Sequence, residues 1–371
     1  MAESGGWLLG LMLRLERALE RRRPPRGIAG TAAFVQTYRA FGTRSVLHAK
    51  GRVLGDRGLR RAADGDSRWV HLRQTWKRIF TRKIAGAALF ARYGEITVAG
   101  STDDEGYFHL EVPVAGSVPD DGWVEVEVAL AERPDVRASA QVLVPPPDAA
   151  FGIVSDIDDT VIRTDATSLF RMLRAVLFEN AHVRLPFEGI AAFYRALHHG
   201  RNHGRNPIFY VSSGPWNLYD LLDHLFELRG IPPGPVFLQD WGFDRGKLIV
   251  APHDEHKREH IDTVVRTYPS LPFLLIGDSG QRDPEIYAAL ARRDPGRILA
   301  AYVRDVAGRR RHDEVARLAE ALRRDTGVDM ILVGDTIAAA EHALSQGWIA
   351  PDDLPRIRGE KEEDEKGGAS L

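Results

Sequence analysis

At 371 residues with a formal net charge of −2, the chain is too long for one small core and has no overall electrostatic pull toward nucleic acid. Hydrophobic residues make up 44% and charged residues 27%, a soluble globular balance, and the absence of cysteine excludes disulfides, thiolate metal sites and cysteine nucleophiles. No apolar run reaches the length of a bilayer span, and the short Trp7–Leu13 run passes directly into Arg14, Glu16 and Arg17 with no small-residue cleavage site. These features predict a cytoplasmic protein, with peripheral membrane contact left open and the oligomeric state unspecified.

Residues 5–23 read as one amphipathic helix that ends in Arg21-Arg22-Arg23 and is stopped by Pro24-Pro25. Packing of its apolar stripe on the protein's own surface is the simpler use; an interfacial helix at a membrane is the other. This gives an N-terminal helical segment, 1–29.

From 30 to 147 the texture is that of strands. Alternation runs through Glu95–Val98, Tyr107–Val112, Trp123–Val128 and Ala138–Val144, separated by turn chemistry such as Asp103-Asp104-Glu105-Gly106. Short half-buried strands at this spacing predict a small antiparallel β-sandwich. The basic stretch Lys77–Lys83 could touch phosphate or membrane, but more often such a run is a solvated helix face or connection.

Pro145-Pro146-Pro147 is a stiff tract and the predicted boundary. Beyond it, over 148–350, apolar strands at 151–155, 208–212, 235–238, 273–277, 298–303 and 330–334 alternate with helical patterns. That rhythm predicts an α/β domain with a mostly parallel sheet. The final 351–371, rich in Glu and Lys and ending in Gly-Gly-Ala-Ser-Leu, reads as a disordered tail.

The chemistry concentrates at strand ends. Asp156-Ile157-Asp158-Asp159-Thr160 follows a buried apolar strand, where open α/β sheets bind ligands. One carboxylate could attack as a nucleophile while its neighbour moves protons; a helix cap is the competing use. Ser212 and Ser213 end the next strand at Gly214-Pro215, suited either to a phosphoryl oxygen or to capping. Lys257 opens a later helix, where a lysine is most often just solvated; in a phosphoryl-transfer site its ammonium would balance an attacking carboxylate and a phosphate. Asp278 sits at a strand end, well before the next helix, which favours a hard-cation ligand such as one for Mg²⁺. Asp283 before Pro284 could equally cap that helix. Asp335, in a second Gly-Asp pattern, reads as a structural cap.

The order Asp-x-Asp-x-Thr, strand-terminal Ser, Lys and Gly-Asp-x-x-x-x-Asp resembles the haloacid dehalogenase superfamily. The longer stretches Ser155–Val161, Tyr210–Tyr219, Leu275–Tyr287 and Tyr302–Val306 are similar to the App1-type phosphatidate phosphatase catalytic domain. The resemblance implies a Rossmann-like phosphatase domain and a Mg²⁺-dependent phosphomonoester hydrolase acting on phosphatidate, a phospholipid. It implies Asp156 as nucleophile, Asp158 as general acid and base, and Lys257 as the balancing charge. Ser212, Ser213 and Thr160 would serve the phosphate, and Asp156, Asp158, Asp278 and Asp283 the metal. Lys247 is a second candidate lysine; Lys257 is preferred because its helix leads into the Asp278 strand. A soluble phosphoester or phosphoprotein substrate, or a membrane or partner adaptor with incidental catalysis, stays open beside this. The apolar stretch within 163–206, including Leu169, Phe170, Met172 and Leu173, reads as either an abbreviated cap over the pocket or packing on the sheet.

Overall fold

The computed structural model describes residues 32–55, 83–120, 122–157, 188–201, 205–239 and 253–369. The chain divides into two compact units, Met1–Val144 and Pro145–Leu371. The N-terminal helix expected at 5–23 and most of the Lys77–Lys83 stretch lie outside the described residues.

The strands of the first unit are β1 (Ala33–Tyr38), β2 (Ala40–Phe41), β3 (Val46–Gly55), β4 (Ala88–Tyr93), β5 (Ile96–Ser101), β6 (Tyr107–Pro113), β7 (Trp123–Leu130) and β8 (Arg137–Leu143). They form two sheets, in the orders β1-β3-β6 and β2-β8-β7-β4-β5. Period-two alternation sends Phe108, Leu110 and Val112 from one sheet and Val124, Val126 and Val128 from the other into a single apolar core. One pairing departs from the antiparallel expectation: the two-residue β2 runs parallel to β8. The predicted turn after β5 forms as an Asx-type structure, with Asp103 Oδ1 accepting from the N–H groups of Glu105 and Tyr107 at 2.9 and 2.8 Å.

The second unit contains β9 (Gly152–Asp156), α1 (Ile190–His199), β10 (Ile208–Pro215), α2 (Tyr219–Arg229), β11 (Val236–Gln239), α3 (His253–Thr267), β12 (Phe273–Asp278), α4 (Asp283–Arg293), β13 (Ile298–Arg304), α5 (Arg309–Thr326), β14 (Asp329–Val333), α6 (Thr336–Ser345) and α7 (Asp353–Ala369). Among the described residues, its six strands are all parallel, in the order β11-β10-β9-β12-β13-β14. Strands β9 and β12 are buried at every position, which is why they read as unbroken apolar runs rather than as alternation. The order reverses at β9: the chain builds outward through β10 and β11, then returns to the other side with β12. Parallel sheets bind ligands at such a reversal, outside the carboxyl ends of the strands.

The charged tail is not disordered. Residues 353–369 form α7, buried at Ile357, with Glu360 accepting from the Ala192 N–H and pairing with Arg195, and Asp364 accepting from the Gly189 N–H. Lys361 Nζ reaches Asp335 Oδ2 at 2.7 Å. Composition alone suggests solvation, but these charges meet complementary groups on α1 and α6, and two of them satisfy N–H groups at the otherwise uncapped start of α1. Among the described residues, no helix is long and apolar enough to cross a membrane.

Candidate active site

Strand β9 ends in Asp156 at the point where the strand order reverses, and the residue is 1% exposed. Its neighbours in the sheet are fixed by register: Val211 of β10 lies beside Asp156, and Ile276 of β12 lies beside Ser155. Ser212 and Asp278 therefore sit just past the level of Asp156 on the two flanking strands. Parallel register thus collects residues that are 56 and more positions apart in the chain onto one edge.

Strand β12 runs to Asp278, and α4 begins at Asp283 with Pro284 in its first turn. Asp283 does not serve as the cap considered for it: Arg282 holds the cap position, and no side-chain cap hydrogen bond forms. The Asp283 carboxylate instead turns inward, where Oδ2 accepts from the Asp278 N–H at 3.1 Å. Gly277 permits this, since a Cβ there would lie 2.2 Å from that same oxygen and 2.6 Å from the Tyr287 hydroxyl.

Lys257, on α3, is 4% exposed. Its Nζ lies 2.8 Å from Asp156 Oδ1 and also pairs with Asp283 Oδ1. Burial works against the ammonium, but the carboxylates of Asp156 and Asp283 outweigh it and hold Lys257 well above its ordinary pKa, firmly charged. Asp278 is different. Burial and then the Asp283 carboxylate push it up to about 6, against the pull of Lys257 and of the Gln281 and Gly280 N–H groups.

The loop after β12 is tightly held. Asp278 Oδ1 accepts from the Gly280 and Gln281 N–H groups at 2.6 and 3.0 Å. Arg311, near the start of α5, donates to the Ser279 and Gln281 carbonyls at 3.0 and 2.9 Å and forks onto both Glu285 oxygens at 2.6 and 2.8 Å. Ser279 Oγ donates to Asp305, and Asp305 meets His312 Nδ1 at 2.6 Å. Arg311 and Glu285 were not singled out from the sequence; Arg311 stands in an ordinary basic run, and no spacing marks it.

The residues named from the sequence separate into four groups. Asp156, Lys257, Asp278 and Asp283 are brought together and buried. Ser212 is buried on β10, which continues through a register irregularity to Pro215 before the short turn Trp216–Leu218; its Oγ accepts from the Gly214 N–H at 3.0 Å, so neither Ser212 nor the half-buried Ser213 caps α2. Asp158, Thr160 and Lys247, with the apolar stretch 167–179, lie outside the described residues. Asp335 is a cap as expected, accepting from the Ile337 and Ala338 N–H groups at 3.1 and 3.2 Å.

One oxygen each from Asp156, Asp278 and Asp283 lies within 4.8 Å of the others. Among the described residues, three buried carboxylates face one ammonium, and Asp278 Oδ2 is buried without a hydrogen-bond partner. Hard oxygen donors with excess negative charge fit a divalent cation of the Mg²⁺ type.

Residues 151–305, which hold every member of this cluster, match the family model for the phosphatidate phosphatase APP1 catalytic domain. Over this segment the chain is similar to an App1-type catalytic domain. A stretch of 154 residues is 31% identical to the phosphatidate phosphatase APP1 of Saccharomyces cerevisiae, covering 42% of this chain and 26% of that protein. An uncharacterized protein of Schizosaccharomyces pombe is 30% identical over 159 residues, again 42% of this chain and 25% of the relative. The App1-type match thus spans about a quarter of the length of these curated relatives. Among solved structures, a carbohydrate acetylesterase from Xanthomonas citri aligns over 80% of this chain and 75% of that one at 12% identity, but with a TM-score of 0.28 that supports no comparison.

Proposed function

We propose that this chain is a Mg²⁺-dependent phosphatase that hydrolyses phosphatidate to diacylglycerol and phosphate. The observation that carries this reading is the buried Asp156–Lys257–Asp283–Asp278 cluster at the sheet reversal, inside the App1-type segment. The Saccharomyces cerevisiae relative, a phosphatidate phosphatase, suggests the substrate class.

In the proposed reaction an Asp156 carboxylate oxygen attacks phosphorus, and the P–O bond to the glyceride breaks. Asp158 gives its proton to the departing alkoxide. Asp158, now ionised, takes a proton from water as the water oxygen attacks phosphorus; the aspartyl–phosphate bond breaks, and phosphate leaves with Asp156 regenerated. Lys257, 2.8 Å from Asp156, balances the negative charge of the nucleophile and offers positive charge toward the phosphoryl group. Ser212, Ser213 and Thr160 would receive phosphoryl oxygens. Asp156, Asp278 and Asp283, with Asp158, would hold Mg²⁺, which when bound neutralises charge on the phosphoryl oxygens.

Phosphate release from phosphatidate in mixed micelles, with Mg²⁺ and with chelator, tests this. Turnover should require the cation and fall at least about 10³-fold in Asp156→Asn while the variant keeps its circular dichroism. Full turnover in Asp156→Asn would remove the mechanism. Turnover on soluble phosphoesters with none on phosphatidate would keep the chemistry and replace the substrate.

A further inference from the structure

Among the described residues, a second group of side chains with metal-ligating atoms close together lies in the first unit. Strands β3 and β6 are antiparallel with His48 opposite Glu111, and His109 stands two residues before Glu111 on the same strand. Leu47, Ala49, Leu110 and Val112 fill the core side of this ladder, so His48, His109 and Glu111 share its outer face. His48 Nδ1 lies 2.9 Å from His109 Nε2 and 3.8 Å from Glu111 Oε1, and one ligating atom from each residue lies within 4.8 Å of the other two.

These spacings match a shared cation. Bonds of about 2.0–2.2 Å from imidazole nitrogen and carboxylate oxygen, at tetrahedral angles, put the donors about 3.3 Å apart. Two imidazoles and a carboxylate suit zinc and its first-row neighbours better than magnesium. The ligands also begin close to their final positions. The His48 side chain is 17% exposed and packs against the Phe41 ring at 4.8 Å, and all three residues project from a paired ladder rather than from loops. Lys50 projects from the same face, with its ammonium 5.3 Å from the Phe41 ring, and opposes a cation in the site.

We propose that His48, His109 and Glu111 bind a first-row transition-metal cation of the zinc type, with the remaining coordination position taken by water. The bound ion ties edge strand β6 to β3. Metal-free, the two imidazoles share a hydrogen bond across the same gap, one ring donating and the other accepting; binding requires both facing nitrogens as acceptors, which a tautomer change provides without net proton loss.

The test is Zn²⁺ titration of the full chain carrying Asp278→Asn, in excess Mg²⁺, so that the acidic cluster does not contribute. Co²⁺ is the spectroscopic probe. One equivalent of Zn²⁺ should bind, and Co²⁺ should give the intense visible bands of a tetrahedral nitrogen-ligated site. His48→Ala and His109→Ala should each weaken binding by at least about 10–100-fold, the cost of losing even a supporting partner of a ligand. Lys50→Gln should tighten it. In the otherwise wild-type chain, His48→Ala should leave phosphate release from phosphatidate unchanged, so this test stands or falls separately from the proposed activity. Equal Zn²⁺ affinity and equal Co²⁺ spectra in the parent and in the His48→Ala/His109→Ala double variant would overturn the site, as would no binding by a parent chain that keeps its circular dichroism.

Discussion

The Lys257 ammonium sits between Asp156 and Asp283, so its removal leaves two carboxylates buried together without their cation. Lys257→Met should cost about 3–5 kcal/mol in the absence of divalent cation, read as a lower urea midpoint, and should abolish turnover. Asp278 behaves in the opposite sense. A carboxyl held at about 6 against an ordinary 3.8 binds its proton more tightly in the folded than in the unfolded chain. Cation-free stability therefore falls as pH rises from about 4 to about 6 and stays lowered above that. Asp278→Asn removes this penalty and keeps an oxygen for the Gly280 and Gln281 N–H groups. It should raise stability in chelator by about 1–3 kcal/mol at pH 7, with no gain below pH 4, while activity is lost. Thermal unfolding at the two pH values checks the sign.

Among the elements, α5 does more for the site than its sequence suggests. Its Arg311 ties the 279–281 loop to Glu285 of α4, and that loop orients Asp278. Arg311→Ala should leave global stability nearly unchanged but raise the Mg²⁺ concentration for half-maximal turnover by about 10–100-fold, measured by Mg²⁺ titration of initial rates. Arg311→Lys should not restore it, because a single ammonium cannot reproduce the fork on Glu285 together with two carbonyl contacts. Helix α7 teaches the complementary lesson. Glu360, Lys361 and Asp364 look like solvated tail charges in isolation; their partners Arg195, Asp335 and the Gly189 N–H lie on elements far earlier or separately placed in the chain.

For the whole molecule, every described member of the acidic cluster lies in the Pro145–Leu371 unit, and the first unit has its own apolar core. A chain beginning at Pro145 should fold and release phosphate from a soluble ester at a rate within about threefold of the full chain, checked by initial rates beside circular dichroism. A much larger loss would mean that the β unit takes part in the chemistry. The sequence by itself determined the alternation of strands and helices after Pro147, because buried parallel strands are written as unbroken apolar runs such as Phe273–Ile276. It also marked Asp156 and Asp278, since carboxylates at buried strand ends are costly without a task, whereas Lys257 and Asp283 had ordinary uses as a solvated lysine and a helix cap and were drawn into the site by the App1-type resemblance. Tertiary structure decided the rest: which way Asp283 turns, that Arg311 clamps the loop, that α7 is ordered, and that His48 meets His109 and Glu111. Each of these depends on charge or metal-ligand complementarity between segments distant in sequence, and pairwise complementarity across space leaves no period or spacing along the chain.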